Sequence, residues 1–199
     1  NYRTYDEFNA RLGAMATLYP QMATTFTAGQ TLQGRAMNGM VISGPSVPGN
    51  AAADRPQIFL HGGQHAREWV SPMVTMFIGE HLLERYATDA RVRAVMDRVQ
   101  FIIVPVMNVD GYLFTWSNDR LWRKNRRPNG DGSFGVDNNR NWGYGWGGQG
   151  ASTVPSNDTY RGPAPFSEPE TQVMRDVVLN NPRIRLAIDF HSYSQIILS

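Results

Sequence analysis

Residues 57–72 read Gln57-Ile58-Phe59-Leu60-His61-Gly62-Gly63-Gln64-His65-Ala66-Arg67-Glu68-Trp69-Val70-Ser71-Pro72, and their order decides the architecture. The first five are a short run of the kind a buried strand needs, stopped by the paired glycines. Ser71-Pro72 then supplies a helix start, a capping residue followed by proline at the first helical position. Val74, Phe77, Ile78, Leu82 and Tyr86 recur at helical spacing and carry that helix to about Ala87.

The same alternation continues outward. Residues 91–96 form a second amphipathic piece, and residues 99–106 are almost wholly apolar and branched, the mark of a strand covered on both faces. Ser167 with Glu170 has the spacing of a capping box, opening a helix through Val173, Met174, Val177 and Val178 to the Asn181-Pro182 stop, and residues 184–190 give a further strand. Toward the N-terminus, residues 24–43 read as two strands broken by Gly29 and Gly34. Thr4 and Glu7 form another capping box ahead of Phe8, Leu12 and Met15 at helical spacing. Strands alternating with helices indicate an α/β layer sandwich. The segment from about Asn108 to Tyr160 stands apart, with four of the five tryptophans and eight glycines between Gly130 and Gly150. A stretch that long without elements of its own is expected to be functional, and its aromatic and arginine content argues against disorder.

Composition narrows the function. At 199 residues, with 41% hydrophobic residues, the chain can bury one core and reads as a single domain without internal repeats. Its longest purely apolar stretch, residues 101–107, is far below the ~18 residues of a membrane span. A formal charge of +2 advertises neither nucleic acid nor an anionic membrane as partner. The absence of cysteine removes disulfides, thiolate metal sites and cysteine nucleophiles together. Asn1 in place of Met suggests a processed or trimmed start, and Asn157-Asp158-Thr159 fits a glycosylation sequon.

The four histidines are His61, His65, His81 and His191. His65 and Glu68 form His-x-x-Glu just after the 57–61 strand, a spacing at which both side chains can face one point. His191 follows the 184–190 strand, and in open α/β sheets sites assemble outside the carboxyl ends of strands. Two imidazoles, one carboxylate and an open fourth position make the catalytic zinc pattern. His81-Leu82-Leu83-Glu84 repeats the spacing inside a helix, where one face and a solvated charge are the simpler reading. His61 reads as a core histidine rather than a further ligand. Arg120, Arg123, Lys124, Arg126 and Arg127 put five cations in eight residues. Such a run is a solvated face, a nucleic-acid patch or an anion site aimed at charge developing in a reaction, and the near-neutral balance weakens the second. Asn139-Arg140-Asn141-Trp142 adds a group able to grip a carboxylate.

Together these blocks resemble the zinc carboxypeptidases of the carboxypeptidase A/B/T kind, the funnelins. The resemblance rests on His65-Ala66-Arg67-Glu68-Trp69, Arg120-Leu121-Trp122-Arg123-Lys124, Val136-Asp137-Asn138-Asn139-Arg140-Asn141-Trp142 and His191-Ser192-Tyr193-Ser194, with Asn108-Val109-Asp110-Gly111 where the family has Asn-Pro-Asp-Gly. It implies an α/β fold, a three-layer α/β/α sandwich on a central mixed, mostly parallel twisted sheet, of which residues 1–199 are one catalytic domain whose C-terminal strands and helices are missing. It implies one Zn²⁺ held by His65, Glu68 and His191, with Asp137 hydrogen-bonding a ligand imidazole. Arg123 is implied as the catalytic oxyanion arginine, Asn139 and Arg140 as the grip on a substrate's terminal carboxylate, and Arg67, Arg120 and Tyr193 as outer subsites. Ser192-Tyr193 falls where the family has a cis peptide bond.

The family's general-base glutamate and its specificity residue lie in a C-terminal third beyond Ser199, so this chain alone is expected to be inactive. Two accounts fit: a nicked enzyme whose remainder stays bound as a separate chain, or a truncated part of a longer protein; peptide or protein C-termini are the expected substrates. Secretion as a proenzyme is implied by the family. The competing readings are a related zinc amidohydrolase acting on cell-wall peptides or N-acyl amino acids, and a non-catalytic zinc-containing module that binds peptide C-termini.

Overall fold

The computed structural model describes residues 1–193 and 196. In chain order the elements are α1 (Tyr5–Leu18), β1 (Ala23–Gln30), β2 (Ala36–Ile42), β3 (Gln57–Gly62), α2 (Val70–Arg85), α3 (Ala90–Met96), β4 (Gln100–Val104), α4 (Val109–Ser117), α5 (Pro169–Asn180) and β5 (Ile184–Phe190). The strands form one mixed sheet in the order β1-β2-β4-β3-β5. β2 is antiparallel to both β1 and β4, whereas β3 runs parallel to both β4 and β5. The parallel half is where the chain crosses back through helices, and it carries the site.

Close approaches show which helix covers which face. A Cβ on Gly62 would meet Thr75 Oγ1 and the Ser71 carbonyl, and one on Gly79 would meet Ile103 and Ile42, so α2 lies against the face carrying Leu60, Ile103 and Ile42. α1 packs beside α2 on that face. Gly29 points the other way, into Val173 of α5. The sheet is thus enclosed as α/β/α, with Met40, Ile42, Phe59, Ile103, Met76 and Leu83 almost fully buried in its core.

The Thr4–Glu7 capping box is present in full. The other two helix starts differ from expectation. Ser71 does not cap α2, whose N-cap is Trp69. Its hydroxyl instead accepts the Gly63 N–H at 2.9 Å and ties the glycine turn to the helix. Ser167 and Glu170 form no capping box: Glu168 is the N-cap of α5, with its N–H bonded to Asn141 Oδ1. The Glu170 carboxylate turns inward to the Leu32 N–H and to Asn125. Gly29 does not end β1 but follows a register shift within it. The long segment after β4 is not featureless, since α4 occupies its first part with Asn108 capping it through the Gly111 N–H.

Candidate metal centre

β3 and β5 run in parallel register, His61 opposite Asp189 and Gly62 opposite Phe190, so they end side by side. The turn after β3 carries His65 and Glu68, and His191 is the first residue after β5. Topology therefore brings together side chains 126 residues apart. His65 Nδ1 lies 2.8 Å from Glu68 Oε1, and His191 Nδ1 lies 3.1 Å from both Glu68 Oε2 and His65 Nδ1. The Ser192 N–H donates to Glu68 Oε2 at 3.0 Å.

The donor set fits a zinc ion. Two imidazole nitrogens face each other across a carboxylate, atoms of the kinds zinc takes as ligands, and these three lie within 4.8 Å of one another. Zinc–ligand bonds of about 2.0–2.2 Å in tetrahedral array set ligand atoms about 3.4 Å apart, close to the spacing here. Burial opposes charge on Glu68, but hydrogen bonds from His191 and His65 hold its carboxyl far below the usual carboxylate range. Burial likewise opposes a charged His191, yet Asp189 and Glu68 push its imidazole up to about 9.

Behind His65, the buried Asp137 sets Oδ1 3.3 Å from Nε2 while its Oδ2 accepts two hydrogen bonds from Arg123, at 2.8 and 3.1 Å. Burial raises the Asp137 carboxyl, but His65 and Arg123 outweigh it and hold it low. Asp137 Oδ1 also accepts the Asn139 N–H at 3.0 Å, so one acid faces His65, binds Arg123 and holds the next segment, while His65 Nε2 itself makes no hydrogen bond. Arg140 spans the loop to the Gly150 carbonyl. Arg120 stacks over Trp69, 3.7 Å from its ring centroid, and donates to the Arg67 carbonyl, while Arg67 pairs with Asp158. Tyr193 is 83% exposed at the end of the described chain. The Ser192–Tyr193 bond is not cis: among the described residues every peptide bond is trans, the default for a non-proline pair. The expected start of a further element over 193–198 lies largely outside the described residues.

The cation run is not a solvated face. Arg123 and Arg127 are salt-bridged to Asp137 and Glu168, Lys124 is buried with its ammonium on the Pro155 carbonyl, and Arg126 lies over Phe114 and Trp122. His81 is exposed on α2 and stays away from the cluster, as its helix position suggests. His61 is buried against Phe59, but its Nδ1 finds no hydrogen-bond partner and sits 3.3 Å from Asp189 Oδ1. Asp189 itself went unread in the sequence. The signal was there: on a period-two strand, residues 189 and 191 share a face.

The profile of the zinc carboxypeptidases matches residues 8–199. The chain belongs to that family. Carboxypeptidase B of Astacus astacus is 40% identical over 199 residues, covering 98% of this chain and 63% of the relative. An inactive metallocarboxypeptidase of Schizosaccharomyces pombe is 35% identical over 206 residues, covering 100% of this chain and 41% of the relative. The crystal structure of thrombin activatable fibrinolysis inhibitor superposes with a TM-score of 0.90 at 31% identity, covering 98% of this chain and 50% of that one. The chain thus spans less than two thirds of the length of each of these proteins, from 41% to 63%.

Proposed function

We propose that His65, Glu68 and His191 hold one zinc ion and that the protein releases C-terminal amino acids from peptides by hydrolysis. The observation that carries this reading is the meeting of those three ligand atoms at the carboxyl ends of β3 and β5. Zinc bound there polarises a scissile carbonyl and lowers the pKa of bound water to about 7. The chain's own residues do the rest of the positioning. Arg123, aimed by Asp137, presents a guanidinium to the oxyanion. Asn139 and Arg140 receive the substrate's terminal carboxylate, which selects chain ends over internal bonds. Arg67, Arg120 and Tyr193 line the approach.

The proton taken from water needs a base, and the glutamates present are otherwise engaged. Glu7 caps α1, Glu80 and Glu84 pair with Arg11, and Glu168 and Glu170 bind Asn125. We therefore assign the base to residues following Ser199, without which turnover falls by about 10²–10⁴-fold. That remainder also has a place to dock. Among the described residues β5 lies at the sheet's edge, with Leu186 and Ile188 exposed on the face against which α2 packs, and α2 exposes Val70, Val74 and Phe77 at helical spacing. Secretion and a proenzyme form belong to the same proposal and rest on the family resemblance. No helix among the described residues is long and apolar enough to cross a membrane.

A second reading is a zinc-containing module that binds peptide C-termini without cleaving them, favoured by the likeness to an inactive relative. A blocked dipeptide offered to the natural-length protein separates the two. Release of its last residue, abolished by chelation and restored by zinc, supports the peptidase. Zinc binding without release supports the module, and no zinc binding sinks both.

A further inference from the structure

His191 uses one ring nitrogen toward the proposed metal, and the other is held from behind. Its Nε2 lies 2.6 Å from Asp189 Oδ2. The Gln64 amide donates to the same oxygen, and the Gln64 carbonyl in turn accepts the Trp142 indole N–H at 2.7 Å. The second oxygen, Oδ1, faces His61 Nδ1 at 3.3 Å across the β3–β5 pairing, and both atoms are buried with no other partner. The half-buried carboxylate is thus held at Oδ2 by His191 and Gln64, while its other oxygen is buried against His61.

We propose that Asp189 is the positioning residue of His191. By accepting a hydrogen bond from Nε2–H, it selects the tautomer whose Nδ1 lone pair points at the cation, and Gln64 aims the carboxylate. A ligand imidazole that donates its other N–H to an acid is both oriented and made more basic. The site then carries one acid behind each imidazole, Asp137 for His65 and Asp189 for His191. The two differ in origin: Asp137 comes from the loop segment, whereas Asp189 lies on β5, two residues before its histidine, and is paired in register with His61 of β3. This inference rests on the zinc reading above.

The test uses the natural-length protein with chelator competition for zinc affinity and the visible spectrum of its cobalt(II) form for ligand geometry. Asp189→Ala should lower zinc affinity by about 10–100-fold and shift the cobalt bands. Asp189→Asn, which keeps an oxygen facing Nε2, should restore the parent cobalt spectrum and most of the affinity. Asp189→Ser carries the same test where the alanine variant fails to fold, because it keeps a polar group at the site while its shorter side chain lacks the Oδ2 that faces Nε2. A folded alanine or serine variant with the parent's zinc affinity and cobalt spectrum overturns the role of Asp189 alone. A parent protein that takes up neither metal overturns this role together with the zinc reading.

Discussion

The chain contains two His-x-x-Glu segments sixteen residues apart, and the fold gives them opposite fates. His65 and Glu68 sit in an irregular turn at the end of β3, both buried, with imidazole and carboxylate 2.8 Å apart. His81 and Glu84 sit within α2, both exposed, and the carboxylate pairs with Arg11 on α1. Spacing brings two side chains within reach of each other, but only a strand end supplies a third group from elsewhere in the chain. In the turn that group is His191, delivered by β5. On the helix the neighbours at that level are solvent and α1.

The contrast breaks most sharply at the metal. His65→Ala or Glu68→Ala should reduce zinc affinity by more than the about 10–100-fold typical of losing an outer partner. His81→Ala and Glu84→Ala should leave it at the parent value. Chelator competition on the four variants decides, and a His81→Ala protein that loses zinc would dissolve the distinction. The same difference should appear in stability. Zinc at about 1,000 times its dissociation constant adds about 4 kcal/mol to a protein that binds it only when folded. Thermal unfolding with and without chelator should show that gain in the parent and in His81→Ala, and lose it in Glu68→Ala.

How far each segment could be read in sequence follows from where its partners lie. The strands at 57–61 and 184–190 are apolar runs with clear stops, and His65, Glu68 and His191 follow from their ends. α4 was hidden because Asp110-Gly111 reads as a turn. In the structure, Gly111 is there because a Cβ would stand 2.6 Å from the Lys124 carbonyl, while the Asn108 side chain caps the helix around it. The destinations of Arg123 and Arg127 were equally hidden, since Asp137 and Glu168 lie 14 and 41 residues away and charge alone does not choose among them. Asp189 was hidden for a subtler reason. A charged residue inside an apolar strand reads as its solvent face, and its place two residues before His191 gains meaning once the pairing with His61 shows that this face is the back of the site.

Each segment also follows a glycine packed against its neighbour, and these two glycines should respond unequally. A Cβ on Gly62, three residues before His65, meets Thr75 Oγ1 at 2.7 Å and the Ser71 backbone carbonyl at 3.0 Å. Backbone cannot rotate away, so Gly62→Ala should cost about 1–3 kcal/mol and separate β3 from the start of α2. A Cβ on Gly79, two residues before His81, meets only the tips of Ile103 and Ile42, at 2.9 and 3.1 Å. Those tips can turn, and alanine within a helix returns about 1 kcal/mol relative to glycine. Urea unfolding midpoints should therefore fall clearly for Gly62→Ala and much less for Gly79→Ala. Equal losses would mean that the helix is seated as rigidly as the turn.

The smallest effect belongs to the charge at the end of the helical segment. Arg11 divides its guanidinium between Glu80 Oε1 at 2.7 Å and Glu84 Oε1 at 2.9 Å, and the Glu84 side chain is 53% exposed. Water already solvates Glu84, and Glu80 keeps Arg11 in place when Glu84 is gone. Glu84→Ala should thus cost less than about 1 kcal/mol, and the cost should shrink as salt screens the pair. Glu68 is the opposite case: buried between two imidazoles and a backbone N–H, its removal leaves those groups facing one another without the charge that reconciles them. Unfolding of both variants at low and high salt, in chelator, isolates this difference from zinc. A salt-insensitive loss at Glu84 as large as that at Glu68 would show that the helix pair, too, is held away from water.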